Sequence, residues 1–544
     1  MTSEQQAPAA RELEPGEAAA LAWSVDGLST NHPSLSARRT LTRRQLIGLI
    51  LLLLILIAAF VLVPVLIGTV LISTMISTYA GMLLMRIDLS RHPESGKRYT
   101  FTEEELRLVS DSDLPTFTVL VPAYREPEVV PQLVGNLSAL DYPADKLQVL
   151  LLLEEDDEET LAAVAGMNLR APFSVIVVPP SQPRTKPKAL NYALGQATGE
   201  IITVYDAEDR PDPLQLRKVA ATFADCGPEV ACVQAELSYF NADENIITRW
   251  FATEYAMWFR QFLPALAAVN AAIPLGGTSN HIRRDVLVGL GAWDPFNVTE
   301  DADLGIRLRR QGFRVAVLDS ITLEEANTDF VNWVKQRSRW YKGYAQTWLV
   351  HMRHPRQLLR DLGWANFLRF NLFVGGTPGL AALNPVSWLL LAMWFVVQPK
   401  FLLDIMPAPV YYAGLFVWIV GNTAFYFLNL AAAYELGLRR IFWAAALLPL
   451  YWVMMSLAAV KALWQLVVTP NYWEKTQHGL SRQHGLPAAG LEPGDAVEPA
   501  LNEPALNEPA LNEGEFAPAT APSFPAPAAT HMSSAMPPPT RGSV

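Results

Sequence analysis

The stretch EIITVYDAED, residues 200–209, decides the fold of this chain. Its first half is apolar and β-branched, as in a buried strand, and its second half holds Asp206, Glu208 and Asp209. In open α/β sheets, ligands bind just beyond the carboxyl ends of the strands. The stretch therefore predicts a strand that delivers carboxylates to a ligand site.

Similar apolar runs lie on both sides of this stretch, with segments of helical spacing between them. Such alternation, with strands that are apolar throughout, is typical of a mostly parallel sheet covered on both faces. We therefore predict an α/β domain over residues 110–355 with a mostly parallel sheet covered by helices. The predicted strands are 117–124, 148–155, 173–180, 200–209 and 230–240.

The acids after two of these strands are candidate ligand-binding groups. Asp206 and Glu208 stand two residues apart, so their carboxylates can share one Mg²⁺ or Mn²⁺, which would in turn hold a substrate diphosphate. A second acid cluster, with Glu154 and Glu155, ends the strand at 148–155. The alternative for either cluster is a solvated acid run that favours the start of a helix.

A third acid group is TED at 299–301. Thr299 has the residue type of a helix N-cap, so Glu300 and Asp301 are predicted to open a helix. Capping and the helix dipole alone would explain this pattern. The segment LGGTSNH at 275–281, just upstream, favours a functional interpretation, because its small and polar residues suit a loop that a ligand approaches closely.

Two basic residues that could pair with these acids, Lys186 and Lys188, lie in RTKPKALNYAL, at the start of a helical pattern. Beside a metal site a lysine can bind phosphate as a point charge, whereas a basic pair elsewhere is usually a solvated surface feature. No GxxxxGK[ST] loop and no GxGxxG fingerprint occurs in the sequence, so a Walker-type NTPase and a Rossmann dinucleotide site lose their main support.

The run from Gln45 to Met85 carries no charged residue and is about twice the roughly 20 residues that one membrane helix needs. Pro64 near its middle predicts a break, so we predict two transmembrane helices over residues 45–86. Basic residues flank both ends of the run, which predicts that both ends are cytoplasmic.

Residues 356–470 are predicted to form further interfacial and transmembrane helices. The segments 373–398 and 409–433 are long and apolar enough to cross. Within 441–469, Pro449 and Lys461 interrupt the apolar pattern, so this part is predicted to be interfacial or re-entrant.

The two ends of the chain lack any pattern that could build a core. Residues 1–40 are rich in Ala, Glu and Ser, and residues 484–544 are rich in Pro, Ala and Glu with a repeated EPALN, so both are predicted to be disordered tails. The formal net charge of −11 argues against nucleic-acid binding. Two cysteines, Cys226 and Cys232, are too few for a disulfide framework and fit a reducing compartment.

The stretch NWVKQRSRWYKGYAQTW combines arginines, glutamine and several aromatic rings ahead of the apolar region. On a helix, Gln336, Arg339, Trp340 and Gly343 share one face, where a ring can stack on a sugar and the polar groups can bind hydroxyls or phosphate. Gly343 is interpreted as leaving space for a glycan to pass. The alternative is a membrane-interface belt of aromatic rings and snorkelling arginines, in which a glutamine on that face has no role.

These motifs together resemble a membrane-embedded glycosyltransferase of family 2, the branch that includes cellulose, curdlan-type and hyaluronan synthases. The longer stretches around these motifs are also similar to a bacterial subgroup of exopolysaccharide glycosyltransferases. These stretches are LGGTSNH, VTEDADLGIRL, QRSRWYKGYAQTW and WEKTQHGL. The motif departs from the family's DxD, because it reads DxE here, and EEDD replaces DDG, which leaves the base-contacting acid uncertain by one or two positions. The carriers of the resemblance are DAED at 206–209, TED at 299–301 and Gln336-x-x-Arg339-Trp340.

The resemblance implies a GT-A domain that binds a nucleotide-diphosphate sugar, most commonly a UDP-sugar, with Mg²⁺ or Mn²⁺. It implies that Asp206 and Glu208 hold the metal and that Asp301, beside Glu300, is the general base. It also implies a gating loop in WEKTQHG, so residues 471–483 are predicted to close over the nucleotide. The implied substrate-binding residues are Glu154, Glu155, Lys186, Lys188, Gly277, Thr278, Gln336, Arg339, Trp340, Trp473, Lys475 and Thr476.

The function expected on this basis is that of an inverting hexosyltransferase that extends an exopolysaccharide at the cytoplasmic face of a bacterial inner membrane. Processive extension with translocation, and accessory export proteins, belong to that expectation. One alternative is a non-processive transferase that acts on a lipid-linked acceptor. A second alternative is a non-catalytic scaffold or receptor subunit on the same fold.

Overall fold

The computed structural model describes residues 13–91, 98–437, 439–476, 479 and 481. The predicted C-terminal tail, 484–544, lies outside the described residues.

The centre of the described structure is an eight-stranded sheet in the order β3-β2-β1-β4-β7-β6-β8-β5. Four of its seven strand pairings are parallel and three are antiparallel, so the sheet is mixed. The five predicted strands are all present, and β5, β7 and β8 were not foreseen. The strands are β1 (Phe117–Ala123), β2 (Leu147–Glu154), β3 (Phe173–Val178), β4 (Ile201–Val204), β5 (Arg210–Pro211), β6 (Val230–Tyr239), β7 (Asn280–Arg283) and β8 (Arg314–Glu324).

Helices cover both faces of the sheet and extend into an apolar bundle. Three pairs of them, α9 and α10, α14 and α15, and α17 and α18, are joined by π-helical turns. The helices are α1 (Pro15–Asn31), α2 (Arg43–Leu62), α3 (Pro64–Arg91), α4 (Glu103–Leu108), α5 (Val130–Ser138), α6 (Glu158–Ala165), α7 (Lys186–Leu194), α8 (Gln215–Asp225), α9 (Ile246–Ala256), α10 (Leu263–Ala268), α11 (Arg284–Gly289), α12 (Glu300–Arg310), α13 (Phe330–His351), α14 (Pro355–Phe370), α15 (Gly376–Val396), α16 (Lys400–Ile405), α17 (Ala408–Phe416), α18 (Asn422–Glu435), α19 (Arg439–Ala445) and α20 (Leu448–Val468).

Side chains of β1 alternate between two cores, which explains why this strand is mostly apolar. Val119 and Val121 pack with α5, α6 and α8 on one face. Leu120 packs with α7, α11 and α12 on the other face. Because successive residues of a strand point to opposite faces, a strand buried on both sides favours apolar residues on both faces. The predicted α/β arrangement of a sheet covered by helices on both faces is therefore confirmed.

The N-terminal segment corrects the predicted disorder of residues 1–40. Residues 15–31 form α1, whose start carries a reciprocal capping box between Glu14 and Glu17. The amide of Asn191 on α7 donates to the Ser24 carbonyl at 3.1 Å, and Leu28 is 2% exposed. This contact with the domain stabilises a helix that composition alone does not predict. Residues 1–12 lie outside the described part.

Five helical runs among the described residues are long and apolar enough to cross a membrane. The predicted break near Pro64 is present, because α2 ends at Leu62 and α3 begins at Pro64. The runs are Arg43–Leu62, Pro64–Arg91, Pro355–Val396, Ala408–Glu435 and Leu448–Val468.

The last of these runs, α20, contacts α13 near both of its ends. The Tyr451 hydroxyl accepts a hydrogen bond from Arg337 at 3.0 Å. Beyond the other end, the carbonyl of Pro470 accepts from the Gln346 amide at 2.9 Å. Because the same helix is also long and apolar enough to cross, its interfacial position and the number of crossings stay predictions.

Candidate active site

A cavity of about 1250 Å³ opens beyond the carboxyl ends of β1, β2 and β4 and continues between the apolar helices. Ala123, Glu154 and Asp206, which end or directly follow these three strands, all line it. This is the position at which an α/β sheet presents ligand-binding groups. One continuous space therefore joins the acidic strand ends to the helical bundle.

The turn after β4 is fixed by a buried carboxylate. Asp209 is fully buried, and its Oδ2 accepts the backbone N–H of Asp206 at 2.7 Å and the hydroxyl of Thr278. Burial, followed by the charges of Asp206 and Glu208, raises the pKa of Asp209 well above its usual range. Asp209 thus closes the turn, which leaves Asp206 and Glu208 to line the cavity.

Lys186, the first residue of α7, joins this turn to the loop at 275–281. Its ammonium donates to the carboxylate of Asp206 and to the carbonyl of Gly277, the latter at 2.7 Å. Burial opposes the lysine's charge, but Asp206, Glu300 and Asp301 together hold the pKa of Lys186 above its usual value. This lysine is therefore a fixed positive charge at the centre of the carboxylates.

Glu300 and Asp301 begin α12 and line the same cavity. A Cβ on Gly277 would lie 3.2 Å from Oδ2 of Asp301, so the loop's backbone passes directly over this carboxylate. Burial raises the pKa of Asp301 to about 6, against hydrogen bonding from the Ala302 backbone. Burial and the charge of Asp301 raise the pKa of Glu300 to about 8. Asp301 thus has the pKa of a base that can exchange a proton near neutral pH.

Helix α13 brings Gln336, Arg339 and Trp340 to the same cavity. The Gln336 carbonyl oxygen accepts from Asn327 at 2.7 Å. The Arg339 guanidinium lies 4.7 Å from the ring centroid of Trp473 and donates to the Glu474 carbonyl at 3.2 Å. These contacts fix one polar and one aromatic edge of the cavity.

The chain after α20, residues 469–476, covers the cavity mouth, and we call it the covering segment. Trp473, Lys475 and Thr476 line the cavity. Lys475 donates to the Tyr124 carbonyl and lies 3.5 Å from a carboxylate oxygen of Glu126. The segment therefore bridges α13 and the loop after β1.

Both sides of the covering segment are anchored. Before it reaches the cavity, the ammonium of Lys342 donates to the Tyr472 carbonyl at 2.6 Å. Farther along, the backbone N–H groups of Gly479 and Ser481 donate to the two carboxylate oxygens of Glu325 at 2.6 and 2.7 Å.

The comparison with protein families matches residues 115–343 to the model described as "Glycosyltransferase like family 2". Residues 115–343 are therefore similar to that family. The matched residues contain the sheet, the acidic turn after β4, the start of α12 and most of α13.

Curated relatives of the domain carry glycosyltransferase names. The "Probable glycosyltransferase YdaM" of Bacillus subtilis (strain 168) is 27% identical over 273 residues, 48% of this chain and 64% of the relative. The "Beta-monoglucosyldiacylglycerol synthase" of Synechocystis sp. (strain ATCC 27184 / PCC 6803 / Kazusa) is 28% identical over 285 residues, 52% of this chain and 58% of the relative. The chain thus spans less than two thirds of the length of these relatives.

Among solved structures, the mannosyltransferase PcManGT from Pyrobaculum calidifontis, in complex with GDP-Man and Mn²⁺, is 18% identical with a TM-score of 0.47. The match covers 72% of this chain and 99% of that one.

The donor atoms at the turn after β4 suit a divalent cation that is shared with a substrate. Among the described residues, no group of three or more His, Cys, Asp or Glu side chains forms a complete metal site. Asp206 and Glu208 offer carboxylates from one turn, and Mg²⁺ typically takes one or two carboxylates plus substrate phosphates. Burial and the like charges of Asp209, Asp206 and Glu208 raise the pKa of Glu324 well above its usual range, which reflects an excess of negative charge here.

Most of the predicted site residues line this cavity, and three do not. Glu155 is not a lining residue, and Thr278 is 1% exposed and hydrogen-bonds to Asp209. Lys188 is fully buried, and its ammonium donates to Glu154 at 2.8 Å and to the Pro179 carbonyl at 3.2 Å. The structure therefore uses Lys188 to hold Glu154 rather than to reach a phosphate. The predicted residues that line the cavity are Glu154, Lys186, Asp206, Glu208, Gly277, Glu300, Asp301, Gln336, Arg339, Trp340, Trp473, Lys475 and Thr476.

Gly343 has a different role from the predicted one. Its missing side chain makes room for Thr299, because a Cβ at Gly343 would lie 2.7 Å from the Thr299 Cβ and closer still to Oγ1 and Cγ2. Thr299 occupies the predicted N-cap position, but its hydroxyl makes no cap hydrogen bond. The glycine therefore sets the distance between α13 and the start of α12, and leaves no passage for a glycan.

Sequence reasoning missed several lining residues. Tyr124 follows β1, and its hydroxyl accepts from Arg184 at 2.8 Å. Glu324 ends β8, a strand that the sequence pattern did not single out. An acid at the carboxyl end of a strand was the available signal, and it was applied only to the strands already recognised.

Proposed function

We propose that this chain transfers a sugar from a nucleotide-diphosphate sugar to an acceptor hydroxyl, with inversion, where the glycosyltransferase domain meets the apolar helices. The observation that carries this proposal is the single cavity that holds Asp206, Glu208 and Asp301 at one end and apolar helices at the other. A donor binds at the carboxylates, and an acceptor reaches Asp301 from the bundle side.

The donor diphosphate is assigned to the turn after β4. Asp206 and Glu208 would hold Mg²⁺ or Mn²⁺, which offsets the charge that develops on the leaving diphosphate. Lys186 and Arg339 both line the cavity and would add two positive charges there. Glu154, held by Lys188, is positioned for the nucleoside end.

Asp301 is assigned as the general base. Its carboxylate takes the proton of the acceptor hydroxyl as that oxygen attacks the anomeric carbon, and the bond from that carbon to the diphosphate breaks. The cavity wall formed by Gly277, Gln336 and Trp340 holds the acceptor in line, which removes the entropic part of the barrier.

Two acceptor classes fit the cavity, and the observations favour the second. A growing exopolysaccharide could stack on rings such as Trp340 and Trp258, which line the cavity. A lipid-linked acceptor matches the aliphatic side chains farther along, among them Ile72, Leu383 and Leu391. One relative is named a beta-monoglucosyldiacylglycerol synthase, which also supports the lipid class. The setting proposed for either reaction is the cytoplasmic face of a bacterial inner membrane, with a UDP-sugar as the first donor to test and with accessory export proteins for a polymer.

The test is transfer from a panel of UDP- and GDP-sugars by purified protein in lipid, with Mg²⁺ or Mn²⁺ and with sizing of the product. Asp301→Asn keeps the side chain's size but removes the base, so the rate should fall by about 10²–10⁴-fold. The exposed Asp285→Asn on α11 is the matched control and should keep full activity. Unchanged transfer by Asp301→Asn would refute the assignment, and a scaffold protein would show no transfer with any donor.

A further inference from the structure

Arg86 is a positive charge on the part of α3 that lines the cavity. The lining positions of this helix follow helical spacing, and Arg86 comes last, five residues before the helix ends at Arg91. At about 1.5 Å per residue, the stripe extends roughly 21 Å from Ile72 to Arg86. The stripe includes Ile72, Met75, Ile76, Tyr79, Met82 and Arg86.

The guanidinium of Arg86 has no protein acceptor within the part of the chain that the structure describes. Among the described residues it makes no hydrogen bond and no ion pair, and its Nε is buried without a partner. Its closest neighbours of note are aromatic rings, with centroids 4.5 Å away at Phe425 and 5.9 Å away at Phe262. A ring attracts a cation but cannot satisfy the five N–H donors of a guanidinium.

The carboxylate whose charge acts on Arg86 is Glu254, and Glu254 is already paired. Arg337 donates to both of its oxygens, at 2.8 and 2.5 Å, and the Tyr451 hydroxyl donates at 2.7 Å. The pair Arg337–Glu254 is neutral as a unit, so Arg86 leaves one uncompensated positive charge beside the cavity. A partly buried guanidinium without an acceptor is costly, which points to a ligand that supplies one.

The cavity that Arg86 lines is apolar on the bundle side. Its lining there includes Leu380 and Leu383 of α15 and Leu415 of α17. The whole cavity, at about 1250 Å³, exceeds the roughly 300–1000 Å³ of a typical small-ligand pocket, so it has room for an amphiphile in addition to a donor sugar. An anionic group with an apolar tail matches both features.

We propose that Arg86 binds the phosphate of a membrane lipid whose apolar tail lies in the part of the cavity between α3, α15 and α17. A planar guanidinium matches phosphate in a bidentate fashion, and aromatic neighbours keep it in place. The proposal rests on the proposed function in one respect, namely that this lipid is the acceptor. The lipid phosphate would hold the acceptor so that its hydroxyl reaches Asp301.

Binding is measured first without any donor, on the full-length Asp301→Asn protein in detergent, by native mass spectrometry or fluorescence titration. The probes are phosphatidic acid and a diacylglycerol with the same acyl chains. Loss of one charge-assisted bidentate contact is expected to weaken phosphatidic acid binding by about 10- to 100-fold in Arg86→Gln, and to leave diacylglycerol binding unchanged. Arg86→Lys should recover part of the affinity, because the charge remains.

Arg369→Gln on α14 is the matched control, because Arg369 does not line the cavity, and it should bind both lipids as the parent does. Equal weakening of both lipids by Arg86→Gln would mean a structural role and would overturn the proposal. Displacement of phosphatidic acid by inorganic phosphate at similar concentrations would assign a free-anion site instead and would overturn it too. Since no donor is present, these outcomes are separate from a failure of the proposed sugar transfer, which the Asp301→Asn rate tests.

Discussion

Replacing Gly343 by alanine tests whether the distance between α12 and α13 sets the active geometry. A Cβ at this position would lie 2.7 Å from the Thr299 Cβ, whereas carbon atoms in contact are normally about 3.5–4 Å apart. Backbone must therefore move by about 1 Å, because Thr299 Cβ is tied directly to its main chain. The residues displaced are those that follow it, Glu300 and Asp301, relative to Arg339 one turn earlier on α13.

Two magnitudes follow from this shift. Overpacking of a well-filled contact costs about 1–3 kcal/mol of folding free energy. A misplacement of about 1 Å in a catalytic arrangement costs about 10²-fold in rate. We therefore expect Gly343→Ala to remain folded, with a lower midpoint of unfolding and about a 100-fold loss in sugar transfer.

The assay pairs denaturant unfolding with initial rates of transfer. Gly135→Ala is the matched control, because it is also a glycine within a helix but has nothing within 4 Å of a new Cβ. It should leave the rate unchanged and raise stability by about 0.5–1 kcal/mol. Adding Thr299→Gly to Gly343→Ala removes the Cβ that forces the shift and should restore part of the rate. Full activity and unchanged stability in Gly343→Ala would refute the reasoning.

Two further predictions concern titratable groups. Lys188→Met leaves Glu154 buried without its partner, so the free energy of unfolding should fall by about 3–5 kcal/mol at neutral pH. Adding Glu154→Gln should recover most of this loss. Denaturant unfolding that shows no loss in Lys188→Met would contradict the ion pair. The transfer rate should rise with pH through the Asp301 pKa of about 6, because only the deprotonated carboxylate accepts a proton. A rate profile that is flat between pH 5 and 7.5 would exclude Asp301 as the base.

The sheet and the acidic site could be predicted because their signals are local. Ile201–Val204 is apolar except for Thr203 because it is buried on both faces, and the acids follow it closely in sequence. The three carboxylates Asp206, Glu208 and Asp301 do line one cavity, as the strand-end argument requires. The spacing of apolar residues and the acids at the strand ends were therefore enough to predict this part of the structure.

The rest depends on partners that are distant in sequence. Lys188 is a structural ion partner because Glu154 lies 34 residues away in sequence yet 2.8 Å away in space. Gly343 accommodates Thr299 from another helix, and α1 is stabilised by Asn191 and its neighbours. None of these relations leaves a local pattern, so residue type alone suggested phosphate binding, an open passage and a disordered tail.

The anchors on both sides of the covering segment constrain how the enzyme would turn over. Lys342 holds the chain at Tyr472, and Glu325 holds Gly479 and Ser481. We therefore expect the lining residues 473–476 to open by bowing outward, which would break the Lys475–Glu126 contact and keep both anchors in place. The donor would then enter, and the spent nucleotide leave, through the same opening. The rate at which the segment opens would limit the rate of the catalytic cycle.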